Sequence, residues 1–207
     1  IYRVINWSYC VSNGYLVFIP DVVFRKGEPG ASSYDAVVSG VKSLIDRYDF
    51  IEKDRIALNG HSWGGYQIAF LVTRTNMFKA AVSGAPVVNM TSAYGGIRWE
   101  SGKSRMFQYE QTQSRIGGTL WDKPAEFIRN SPLFFLPQVQ TPVLIMHNDK
   151  DGSVMWEQGI EFFMALRRLD KPVWLFNYKG EGHHLKKWEN RLDYSRRVME
   201  FYDYYLK

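Results

Sequence analysis

A single cysteine, Cys10, is all the thiol chemistry that the 207 residues contain. No disulfide can therefore form within the chain, and no cysteine pair can hold a metal ion. No activating pattern surrounds Cys10, which reads as a small apolar residue rather than a nucleophile. Long apolar runs are also missing: none approaches the ~20 residues needed to cross a bilayer. No signal-peptide pattern is present, and no membrane partner is expected. Charge of one sign is not in excess, since 26 Lys and Arg face 21 Asp and Glu for a net +5. The basic residues, including the Lys186-Lys187 and Arg196-Arg197 pairs, are interleaved with acidic ones. That describes a solvated surface and argues against a nucleic-acid partner. Repeats and low-complexity tracts are absent too. Two carboxylates, Asp149 and Asp151, and the distant pair His183 and His184 form no recognised ligand spacing, so neither a metal nor a cofactor is expected.

What is present is ordinary globular material, 45% hydrophobic and 16% aromatic, in a length that makes one large domain. Strand-like and helix-like segments alternate, the pattern of an α/β fold with a mostly parallel sheet and helices on both faces. Strands are predicted at Tyr15 to Ile19, Arg55 to Asn59, Ala80 to Gly84, Thr141 to His147 and Pro172 to Tyr178. Helices are predicted from Tyr34 to Tyr48, from Gln67 to about Thr75, from Gly159 to Leu169 and from Tyr194 to Leu206. Between Val87 and Val139 the rhythm breaks, as it would in an excursion above the strand ends that builds a substrate pocket.

Gly60-His61-Ser62-Trp63-Gly64-Gly65-Tyr66 carries the chemistry. Gly-x-Ser-x-Gly between a strand and a helix is a nucleophile elbow, where a sharp turn exposes the serine hydroxyl. Side chains two positions to either side of Ser62 are expected to collide, which explains Gly60 and Gly64. A serine nucleophile needs a base and an acid to orient it, in the chain order Ser, Asp or Glu, His. His61 is read as a structural neighbour inside the elbow and His147 as a packed strand-end residue. The base is one of His183 and His184, and spacing alone does not choose between them. The acid is Asp149 or Asp151, the other capping a turn. Trp63 N–H can donate to the oxyanion.

Four segments together resemble the prolyl oligopeptidase family of serine peptidases, in its C-terminal α/β-hydrolase domain. They are Asn13 to Phe18 with Pro20-Asp21, Gly60 to Tyr66, His147 to Val154, and Tyr178 to His183. The wording is nearest the acylaminoacyl-peptidase and dipeptidyl-peptidase branch. The resemblance implies hydrolysis of short peptides by acyl transfer through Ser62, Asp151 and His183: the family's acid stands three residues before a valine, and its base directly follows Glu-Gly. It implies Tyr94 and Trp99 as aromatic walls for the substrate, with Tyr66 packed behind the elbow. It also implies early strands and a β-propeller upstream of Ile1, a second oxyanion donor outside these residues, and an exported, periplasmic or secreted, protein. The aromatic last helix could seat that propeller or a second copy. Asn148, where the family usually has glycine, is a departure expected to alter the loop and not the chemistry. A carboxylesterase on the same triad, or an inactive hydrolase-like binding domain, are the competing expectations.

Overall fold

The computed structural model describes residues 6–207. Its centre is a four-stranded, wholly parallel sheet in the order β1 (Ala57–His61), β2 (Ala80–Gly84), β5 (Val143–Met146), β6 (Val173–Phe176). In register, Gly60 lies beside Ser83, Ser83 beside Ile145, and Ile145 beside Leu175. The two inner strands are apolar at almost every position because both sheet faces are covered. Alternation divides them. Ala81, Val143 and Ile145 face one core, shared with α2 (Pro29–Arg47), α3 (Trp63–Val72) and α7 (Glu157–Arg168). Ala80, Val82, Leu144 and Met146 face the other, closed by α8 (Trp188–Leu206). Pro142 sits just before β5, where its missing N–H costs nothing, while its carbonyl accepts Ala81 N–H at 3.0 Å.

The remaining elements are α1 (Trp7–Ser12) and the excursion between β2 and β5. The excursion contains α4 (Met90–Tyr94), a two-stranded hairpin of β3 (Ile97–Arg98) and β4 (Lys103–Ser104), α5 (Met106–Glu110), α6 (Pro124–Arg129) and a 3₁₀ turn at Pro132–Gln138.

Several expectations need correction. Helix α2 begins at Pro29 rather than Tyr34, and α8 at Trp188 rather than Tyr194. Residues 15–19 form no strand, because they meet no ladder partner among the described residues. Leu16 and Ile19 are exposed in consequence. The strand expected over residues 55–59 is shifted, and runs through Gly60 to His61. The aromatic side of α8 is also largely committed: Phe201 and Tyr202 pack on the sheet and Tyr205 packs against that core, while Tyr204 projects outward.

Candidate active site

Three loops leave the same, carboxyl end of the sheet after β1, β5 and β6, and each carries one of the residues predicted for the site. Ser62 follows β1 directly, in a left-handed conformation with φ 61°. A non-glycine residue there costs ~1–3 kcal/mol, which the surroundings must hold in place. Ser62 N–H donates to Gly84 O at 2.8 Å and Tyr66 N–H to Ser62 O at 3.0 Å, so the turn is tied to β2 and to the first turn of α3. A Cβ on Gly60 would collide with the Gly64 carbonyl, and one on Gly65 with the Gly84 carbonyl. A Cβ on Gly64 would meet nothing within 4 Å. The expected crowding on both sides of Ser62 is therefore corrected at Gly64: Gly65, one residue on, is the glycine that lets α3 press against β2.

Ser62 Oγ lies 2.8 Å from His183 Nε2, and His183 Nδ1 lies 2.8 Å from Asp151 Oδ2. Asp151 Oδ1 accepts the backbone N–H groups of Ser153 and Val154, both at 2.8 Å. Burial alone would push the Asp151 carboxyl up, but hydrogen bonds from His147 and His183 hold it well below the usual carboxylate range. It is the charged partner the relay requires. His184 is exposed and meets His183 only ring to ring, at 4.8 Å, whereas Asp149 Oδ1 takes the Gly180 N–H at 2.8 Å.

His147 does more than the sequence disclosed. It is fully buried, with Nε2 3.3 Å from Asp151 Oδ2 and 3.1 Å from Val154 O. Two acceptors at Nε2 place the proton there, so His147 supports the carboxylate from behind. The i, i+4 spacing to Asp151 was its only sequence signal. Asn148 spans two loops: its Nδ2 donates to Gly182 O at 2.8 Å and its Oδ1 accepts Tyr178 N–H at 3.1 Å. Glu181, buried just ahead of the histidines, accepts the N–H groups of Lys186 and Lys187 and the Asn190 amide. That carboxylate fixes the base loop to the start of α8.

Trp63 N–H is the first amide of α3, a position with no intrahelical acceptor. Its ring stacks on Tyr66 at 4.4 Å, and Tyr66 is wholly buried behind the elbow. The two expected pocket aromatics part company. Tyr94 is 2% exposed, packs edge-on against Phe127 and donates its hydroxyl to Glu110 at 2.5 Å. Trp99 is 72% exposed at the turn of the β3–β4 hairpin. That hairpin is anchored to the acid loop: Glu100 N–H donates to Gly152 O at 3.2 Å, Ser153 Oγ to Glu100 at 2.7 Å, and Arg98 to Ser153 Oγ at 3.0 Å.

One feature escaped the sequence entirely. One ligand nitrogen from each of His61, His183 and His184 falls within 4.8 Å of the others. Burial, then the neighbouring imidazoles, push His61 down to about 3; the same two causes lower His184. Two of the three are neighbours in sequence and the third is far away, so no ligand spacing could have shown the cluster.

The sequence pattern of the prolyl oligopeptidase family matches residues 5–207. The chain is 30% identical to YuxL, an uncharacterized peptidase of Bacillus subtilis, over 78% of this chain and 23% of that protein. It is 28% identical to the acylamino-acid-releasing enzyme of Rattus norvegicus, over 81% and 22%. Among solved structures it resembles a puromycin-hydrolyzing peptidase of Mycobacterium tuberculosis, with TM-score 0.75 and 24% identity over 87% of this chain and 26% of that one. It also resembles the acylaminoacyl peptidase of Pyrococcus horikoshii, with TM-score 0.72 and 20% identity over 87% and 29%. The fold is thus that of the α/β-hydrolase peptidases. The chain spans under a third of the length of each of these proteins.

Proposed function

The chain belongs to the prolyl oligopeptidase family, and on that premise we propose that it is the catalytic part of a serine peptidase acting on short peptides. One observation carries the reading: Ser62, His183 and Asp151, drawn from three loops, stand in an unbroken relay with both contacts at 2.8 Å.

In the proposed reaction Ser62 Oγ attacks the substrate carbonyl carbon while His183 Nε2 takes its proton. Asp151 holds Nδ1–H, fixes the tautomer and stabilises the imidazolium. The oxyanion that forms accepts Trp63 N–H, in company with a second donor from the upstream part that the family resemblance implies. His183 then gives its proton to the leaving amine. Water, deprotonated by His183, releases the acyl group and restores Ser62. The family's usual β-propeller belongs to this reading, and the greater length of the matched relatives leaves room for it. With Tyr94 held by Glu110 and Trp99 displayed at the hairpin turn, Trp99 is the better candidate to meet substrate.

The test is intact mass after a fluorophosphonate probe, on this chain and on Ser62→Ala. A single adduct that the substitution removes is the expected result. An unmodified but folded chain, or an adduct that persists in the variant, would overturn the assignment. A panel of aminoacyl amides against short acyl esters then tests the substrate class, with amide turnover expected.

A further inference from the structure

Outside the relay proper, the least settled polar group near the site is His61. Its two ring nitrogens are inaccessible to solvent and meet no hydrogen-bond partner of good geometry, the His183 backbone offering only a weak polar contact. A buried imidazole in that condition is costly unless something else engages it. Its ring lies 4.8 Å from that of His183 and 5.0 Å from that of His184, and those two lie 4.8 Å from each other. Three rings thus form a closed triangle beside Ser62, with one ligand nitrogen from each inside a 4.8 Å span.

We propose that His61, His183 and His184 form a binding site for a divalent transition-metal ion, Zn²⁺ above all, whose occupancy withdraws His183 from Ser62. The donor set fits that chemistry. Three imidazoles suit zinc, copper or nickel and leave magnesium and calcium, which want oxygen, unbound. Zinc–nitrogen bonds near 2.0–2.1 Å put tetrahedral ligands roughly 3.4 Å apart, so a pair at the full 4.8 Å span must close by about 1.4 Å. His184 is the exposed member of the three and has the most room to move toward the other two. Three protein ligands leave a fourth position for water.

The consequence follows from which atom of His183 is available. Its Nδ1 is engaged by Asp151 at 2.8 Å, so Nε2 is the atom left for a metal. Nε2 is also the atom that meets Ser62 Oγ. Metal and serine therefore compete for one nitrogen, and a bound ion silences the relay reversibly. Asp151 would serve both states, orienting the imidazole toward the serine or the ion. The inhibitory part of this proposal rests on the peptidase reading; the binding part does not.

The test uses the chelator-stripped chain, titrated with ZnCl₂ in a calorimeter and, in parallel, labelled with the fluorophosphonate probe at each zinc concentration. The expected result is one zinc per chain, no heat with MgCl₂, and labelling that falls with the same midpoint and returns on adding chelator. His184→Gln, at an exposed position outside the relay, should label normally without metal. It should weaken both zinc binding and inhibition about tenfold or more. His61→Gln should do the same to binding; should that variant misfold, His184→Gln still decides. No zinc binding, or equal affinity in the chain and in His184→Gln, would overturn the site. Zinc bound with the His184 dependence while labelling persists undiminished would overturn the competition for Nε2. Zinc bound with that dependence and no labelling under any condition would uphold the site and overturn the serine-hydrolase reading instead.

Discussion

The elbow shows how finely single atoms divide the work. Gly60 and Gly65 are required by contact with backbone carbonyls, and Gly64 by none. Gly60→Ala and Gly65→Ala should each lower stability in urea denaturation by more than about 2 kcal/mol, because backbone has to move. Gly64→Ala should be neutral or stabilising by up to about 1 kcal/mol, alanine being the better helix former. Equal losses at all three would contradict the packing described for Gly64. Residue-level reading thus singled out the serine that the structure sets 2.8 Å from His183 Nε2, and gave one glycine a wrong reason: the motif fixes which positions are small, not which neighbour makes them so. Asp151 offers a second prediction. Its carboxyl is held below its ordinary range by His147 and His183, so folding favours the ionised form. The stability this supplies is complete above the ordinary carboxylate range and is lost as pH falls below about 4 toward the depressed folded value. Asp151→Asn should therefore flatten the acid limb of Tm against pH. It should also slow fluorophosphonate labelling by up to about 10⁴-fold, the imidazole having lost its ionised partner. An unchanged acid limb would place the acid-sensitive group elsewhere.

Among elements, legibility tracked burial. Strand β2 was foreseen at both ends, since a fully enclosed parallel strand is a short apolar run closed by Gly84 and a proline soon after. The 15–19 segment has the same apolar appearance without becoming a strand, because a ladder needs a neighbour and the segment's own residues do not disclose whether one is there. The excursion between β2 and β5 resisted reading for a related reason. Its helices are five or six residues long, too short for periodicity to show, and tertiary anchors such as Asn89 to Gln158 and Glu161 hold it in shape. The residues that brace the relay were hidden likewise. Asn148 looked like a departure from pattern, yet it is the hydrogen-bonded strut between the acid loop and the base loop. Asn148→Ala should leave the Gly182 carbonyl and the Tyr178 amide without that partner and cost about 1–3 kcal/mol in urea denaturation, with slower labelling. Normal stability and normal labelling in that variant would show that the loops hold their places without it.

At the largest scale, the described residues are arranged asymmetrically about the sheet. Both faces are covered, but β1 has no strand on its far side among the described residues, and an apolar strip from Leu16 to Val23 lies open, Val23 being 83% exposed. Open edges and apolar strips invite association. Sedimentation of this chain should show self-association rising with concentration, and Leu16→Lys with Ile19→Lys should reduce it while leaving stability within about 0.5 kcal/mol. Association unchanged by both lysines would locate the contact elsewhere. The relay is spread just as widely, for Ser62 and His183 stand 121 positions apart. A ribosome adding about 5–20 residues per second needs roughly 6–24 s to travel that distance. Throughout that interval the nascent chain carries the proposed nucleophile without its proposed base. On the proposed roles, the order of the three residues along the gene is a clock: the relay cannot close until the strands that shape the site have been made.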